Sequence, residues 1–316
     1  MIDDSLIGAL LDGSRQAVAR AISLVEKDGP GASELLQAIH GHTGTAHRVG
    51  VTGPPGSGKS TLINQLIAHY RHRDLSVAVL AIDPSSPFTR GALLGDRVRM
   101  IEANQDSGTY IRSMAARGFA GGLSYATHDA ANILDAAGFD CILIETVGVG
   151  QSELDVTSVA DTVMAVVVPE SGDSIQAMKA GLMEIADIFA LNKCDRPDSE
   201  SAYAALQSML HLRPHTKGEW LPEIVKLIAS EGDGTVELAE RIIQHREHIT
   251  ATGGLRERQE QRLQYQIRKI VEKTISVELW DEAGTELLAA SVGPVLDGDS
   301  SPYELARSIV ARIRGS

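Results

Sequence analysis

The residues of this chain most plainly suited to chemistry are Gly53-Pro54-Pro55-Gly56-Ser57-Gly58-Lys59-Ser60, followed by Thr61. They match GxxxxGK(S/T) in full, between an apolar run ending at Thr52 and a helical run from Thr61 to His69. Glycines let the backbone curl so that successive N–H groups face phosphate oxygens, and a helix N-terminus adds partial positive charge. In that arrangement Lys59 reaches the β- and γ-phosphates and Ser60 ligates Mg²⁺. A second group, Asn192-Lys193-Cys194-Asp195, follows the apolar run Ile188 to Leu191. A carboxylate at Asp195 accepts from guanine N1–H and its exocyclic amine, a donor pair that adenine lacks. Ser230-Glu231-Gly232 after the next apolar run either closes over the base through backbone groups or forms a plain polar turn.

Two acids end apolar runs. Asp83 in Ile82-Asp83-Pro84 and Glu145 in Ile144-Glu145-Thr146-Val147-Gly148 would face Mg²⁺ and the γ-phosphate, or else cap the turns they begin. Glu145 stands where Ras-like GTPases carry the Asp of DxxG, and Gly148 keeps its N–H for the γ-phosphate. Hydrolysis also needs an oriented water, and Gln151, just past Gly148, is the candidate side chain. His40, His42 and His47 invite a metal reading but lack acidic or cysteine co-ligands, so solvated loop histidines are the plainer expectation. Arg112 and Arg117 are read either as phosphate or partner contacts or as surface ion pairs.

These groups need a scaffold that gathers the ends of several strands. β-rich apolar runs at Arg48 to Thr52, Ser76 to Ile82, Cys141 to Ile144, Val163 to Val168, Ile188 to Leu191 and Ile224 to Ile228 alternate with helical stretches. The pattern predicts an α/β fold of the P-loop NTPase kind: a mainly parallel sheet, helices on both faces, ligands at the carboxyl ends of the strands. Residues 1–47 are expected to be a helical N-terminal extension, 48–235 the nucleotide domain, and 236–316 a helical C-terminal arm. In the arm, Leu263, Ile267, Ile270 and Thr274 make a narrow apolar stripe among arginines and lysines, suited to packing on its own domain or to forming a dimer.

Bulk properties narrow the class further. The 316 residues suffice for one main core with attached elements. A net charge of −13 argues against a nucleic-acid binder, and no apolar run approaches the about 18 residues of a membrane span. The acidic start Met1-Ile2-Asp3-Asp4 has no signal core, and the two cysteines, Cys141 and Cys194, have no CxxC spacing. A cytoplasmic protein without nucleic-acid or membrane partners is expected.

The segments VGVTGPPGSGKST, VAVLAIDPSSPFTRGALLGDRVRM, ILIETVGVGQSE and NKCD, with the looser PESGDSIQAMKAGLMEIAD, closely resemble the methylmalonyl-CoA mutase-associated GTPase family (MeaB/ArgK). The likeness covers roughly residues 48–232, and the run from Asp83 to Met100 is its most specific part. It implies a homodimeric GTPase, turning GTP into GDP and phosphate, that gates adenosylcobalamin loading of a cobalamin-dependent acyl-CoA mutase and protects that enzyme. It also implies that Asp83, Asp96 and Glu145 are magnesium-site acids and that residues 85–100 and Val147 to Glu153 are switches. Pro169 to Lys179 then resembles an additional switch, with Lys179 as its polar messenger to the mutase. The arm departs from the family habit: Leu263 to Ile267 contains no tryptophan, and Trp280 comes later. Competing functions are a kinase-type phosphotransferase linked to amino-acid transport, a nickel-type metallocentre GTPase, and an adaptor that binds nucleotide without turnover.

Overall fold

The computed structural model describes residues 4–83, 106–115, 125–146, 155–169, 181–212 and 218–314. Seven parallel strands form one sheet: β1 (His47–Thr52), β2 (Val77–Asp83), β3 (Thr109–Ala115), β4 (Cys141–Glu145), β5 (Thr162–Val167), β6 (Ile188–Leu191) and β7 (Glu223–Lys226). Their spatial order is β3-β2-β4-β1-β5-β6-β7. Six were legible as apolar runs; β3 was not among them. It is an edge strand whose Arg112 and Ser113 interrupt the apolar pattern, and Arg112 forms an ion pair with Glu26. Arg117 lies outside the described residues.

The sheet is covered on both faces because successive side chains in a strand point to opposite sides. Helices α1 (Asp4–Leu11), α2 (Arg15–Glu26) and α3 (Ala32–Ile39), with α5 (Tyr125–Ala136), bury Leu10, Ile22, Leu35 and Leu134 against Ala78, Leu80, Ile142 and Ile144. The N-terminal extension is thus one layer of the main core. On the other face α4 (Lys59–Arg71) and α8 (Thr235–Thr252) bury Leu62, Leu66, Leu238 and Ile242 against Val49, Val79, Leu143 and Met164. The one-turn α6 (Leu182–Ile185) and α7 (Ser199–His211) pack on Val167, Phe189 and Leu191. Three helices complete the chain: α9 (Gly254–Leu279), α10 (Glu282–Leu296) and α11 (Pro302–Arg314).

Two compact units emerge, Met1–Glu260 and Gln261–Ser316. The sequence-based boundary stood at residue 235; α8 packs on α4 and on strands β5 to β7, so the first unit reaches further. In the second unit Trp280, Leu288, Val292, Leu305 and Ile309 line an apolar cavity of about 370 Å³. Along α9, Leu263, Ile267, Ile270 and Ile275 are about half exposed among the described residues.

A buried polar network fixes the amino-terminal ends of the central strands. Asp187, just before β6, accepts from Val163 N at 2.8 Å and from both terminal nitrogens of Arg258 at 2.8 Å, with His245 Nε2 at 3.3 Å. Burial pushes its carboxyl up, but Arg258 and His245 outweigh that and hold it well below the usual carboxylate range. Thr162 Oγ1 sits between His47 Nε2 at 2.7 Å and His245 Nδ1 at 2.8 Å. With a single hydroxyl proton, Thr162 donates to one of the two rings and accepts from the other.

Desolvation by burial lowers the pKa of His47 to about 3. Between pH 6.5 and that value the unfolded chain takes up a proton that the native chain refuses, so stability falls as the pH falls through this window. The contribution cannot exceed about 1.4 kcal/mol per pH unit for one proton. Urea unfolding of wild type and His47→Gln at pH 7 and pH 5 is expected to show the smaller loss in the variant; equal losses would assign the effect to other groups.

Candidate nucleotide site

The loop from Gly53 to Gly58 leaves the carboxyl end of β1 and enters α4 at Lys59. Gly53 has φ +136°, and a Cβ there would lie 2.1 Å from the Val166 carbonyl on β5. Gly58 has φ +96° and would put a Cβ 2.3 Å from Asn192 Nδ2. Both positions therefore exclude any side chain, which brings β5 and the end of β6 against the loop. Pro55 and Gly56 are exposed at its tip, while Ser57 is buried. The buried Lys59 donates to the carbonyls of Gly53 at 2.8 Å and Pro54 at 3.1 Å, so its ammonium is held inside the loop.

Ser60, in the first turn of α4, donates to Glu145 Oε1 at 2.7 Å. The strand end Glu145 and the loop hydroxyl thus meet. Hydroxyl and carboxylate oxygens are the hard donors that suit Mg²⁺. Asp83 is the last backbone residue of β2, which runs beside β4; its side chain, and Asp96, Gln151 and Lys179, lie outside the described residues. So do the expected switch segments at residues 85–100, 147–153 and 170–179.

Asn192 and Lys193 tie the base-reading segment to the phosphate loop. Asn192, 3% exposed, donates through Nδ2 to Ser57 O at 2.7 Å. Its Oδ1 accepts from Lys193 N at 2.8 Å and from Ala229 N at 3.0 Å. Lys193 adopts φ +62°, and its ammonium donates to Gly56 O at 2.9 Å. Asp195 is exposed, next along the chain from Cys194, whose Sγ donates to Leu191 O. Ser230, Glu231 and Gly232 form a turn after Ala229, closed by Glu231 N to Ile228 O at 3.0 Å. Thr61 continues α4 beneath the loop.

Burial pushes the Cys141 thiol up to about 12 and also raises Cys194, so both stay protonated near neutrality. The three histidines do not form a cluster: His47 is buried in β1, while His40 and His42 are exposed in the turn after α3. Among the described residues no group of three or more His, Cys, Asp or Glu side chains is placed to hold a metal ion.

Residues 18–284 match the family model described as methylmalonyl Co-A mutase-associated GTPase MeaB. The chain belongs to that family. A relative from Pyrococcus horikoshii, named as a GTPase, is 45% identical over 314 residues, covering 99% of this chain and 98% of its own. GTPase ArgK of Escherichia coli K12 is 36% identical over 277 residues, covering 85% of this chain and 83% of its own. The crystal structure of a LAO/AO transport system kinase superposes with TM-score 0.72 at 28% identity, covering 99% of both chains. This family member is a GTP hydrolase with a P-loop fold.

The bonds missed in the sequence reading are those of Asn192 to Ser57 and Ala229. The NKxD motif drew attention to the base through Asp195 and gave no hint that its first residue spans both loops. Asp195→Asn is expected to weaken GTP by about 100-fold, two charge-assisted bonds at about 1.5 kcal/mol each, and to favour xanthosine triphosphate. Competition binding with both nucleotides measures this; unchanged GTP affinity would remove Asp195 from the base site.

Proposed function

We propose that this GTPase acts as a chaperone for a cobalamin-dependent acyl-CoA mutase, using GTP hydrolysis to time the loading of adenosylcobalamin and to protect the mutase. The observation that carries the reading is membership, across residues 18–284, of a family described by its association with methylmalonyl-CoA mutase. The partner class follows from that description, and the work as a cytoplasmic homodimer from the sequence pattern. The half-exposed apolar stripe at Leu263, Ile267 and Ile270 supports a second copy as the occupant of α9.

The chemistry assigned to the chain is positioning and charge. Loop N–H groups and Lys59 hold the phosphates; Asp195 holds the base, with Ser230, Glu231 and Gly232 against it. Ser60, Glu145, Asp83 and Asp96 would hold Mg²⁺, which when bound neutralises charge on the phosphate oxygens. Gln151 would orient the attacking water. Lys179, in the segment that resembles a third switch, would report the nucleotide state to the mutase. A site completed by its partner turns over slowly alone and faster in complex.

A second reading, phosphoryl transfer to an acceptor, is favoured only by the name of the structurally similar transport system kinase. Incubation with γ-labelled GTP, with and without the cobalamin-dependent mutase of the same cell, separates the two. Free phosphate released at a rate raised tenfold or more by the mutase is expected. Label on an amino-acid transport component would favour the kinase reading, and turnover indifferent to any mutase would refute the chaperone.

A further inference from the structure

We propose that Gln65 is a positioning residue for guanine, aiming the Ser230 N–H at the base from the helix that carries Lys59 and Ser60. The proposal rests on the guanine-nucleotide reading of the site. Gln65 lies on α4, and its Nε2 donates to Ala229 O at 3.2 Å. The N–H of Ala229 is already committed to Asn192 Oδ1 at 3.0 Å. The Ala229 residue is therefore held on both sides, by the base-reading segment through its N–H and by the phosphate-loop helix through its carbonyl.

The carbonyl of Ala229 and the N–H of Ser230 belong to one peptide unit. In a trans peptide these two groups point in opposite directions, and the structure has no cis bond among its described residues. Binding the carbonyl from α4 thus fixes the Ser230 N–H away from α4. Nothing else is needed to aim it. The same turn is braced further along: Ile228 pairs with Asp233, and Glu231 N donates to Ile228 O at 3.0 Å. Gln65 Oε1 lies 3.2 Å from where a Cβ on Gly232 would stand, so the amide also sits beside the far end of the turn.

The group that a backbone donor here would read is guanine O6. Asp195 can accept from N1–H and the exocyclic amine but can give nothing to O6, so a donor from the Ser230 turn completes the recognition. Adenine carries an amine at that position and would present a donor to a donor. Gln65 therefore acts on base choice through the peptide it holds, without touching nucleotide.

The test compares GDP with 6-thio-GDP, in which the O6 acceptor becomes a poor one while N1–H and the amine remain. Calorimetric affinities, melting temperature and GTP kcat are measured for wild type, Gln65→Leu and Gln65→Glu. Wild type is expected to prefer GDP over 6-thio-GDP by about fivefold or more. Gln65→Leu should weaken GDP by about five- to tenfold, the worth of one hydrogen bond, and shrink the preference to about twofold, with kcat at saturating GTP unchanged. Gln65→Glu keeps the shape and the Gly232 contact but cannot donate, so it should lose at least as much.

Equal loss of both nucleotides in Gln65→Leu, or wild-type behaviour of Gln65→Glu, overturns the assignment and leaves Gln65 a packing residue. Wild-type protein binding ADP as tightly as GDP would instead overturn the guanine reading itself, and the Gln65 assignment with it. A GDP preference untouched by either variant overturns the assignment alone.

Discussion

The buried side chain of Asn192 is the contact on which the arrangement of this site depends. One amide donates to Ser57 in the phosphate loop and accepts from Lys193 and from Ala229, so the ends of β1, β6 and β7 are joined at a single point. The Asn192 side chain is almost closed to water, so the loss of one partner leaves the other unpaired. The glycine at position 58 is what lets the amide come so near, since any side chain there would overlap it. Phosphate binding and base reading are therefore not separate modules. The Gly53 to Ser60 loop and the turn after β7 share a rigid connection through one side chain.

Much of this architecture was legible in the sequence, and the reasons differ by element. The phosphate loop was plain because curling a backbone around phosphate demands glycines at fixed offsets beside a lysine and a hydroxyl. Six strands were plain because their runs are mainly apolar. Strand β3 was not, since Arg112 and Ser113 break its apolar pattern and Arg112 goes to an ion pair with Glu26. The position of Glu145 at a strand end was legible too, while its direct bond with Ser60 was not. The bracing of the site by Asn192 and Gln65 was not, because those bonds cross 135 and 164 residues of chain and leave no local pattern.

The same holds for the opposite end of the sheet. Asp187, His245, Arg258, Thr162 and His47 form one buried network, yet no spacing rule connects them. Their joint effect is to bind the start of α9 and the turn before β6 to the main core, which is why the first compact unit runs past α8 to Glu260. A composition shift at residue 235 marks where the sequence becomes more helical and charged; it does not mark where packing ends. The sheet is thus held at both ends by polar groups, the Asp187 network at one end and the Asn192 bonds at the other.

If Asn192 couples the two halves of the site, weakening it must cost affinity for the whole nucleotide without unfolding the protein. The direct measurement is calorimetric binding of GDP to wild type and Asn192→Asp, whose carboxylate accepts as before but cannot donate to Ser57 O. The account requires an affinity loss of about 100-fold or more, from a broken buried bond and a carboxylate set against a carbonyl, with a cooperative melt retained. GDP affinity within about threefold of wild type would contradict it, and would mean that the loops hold their positions independently.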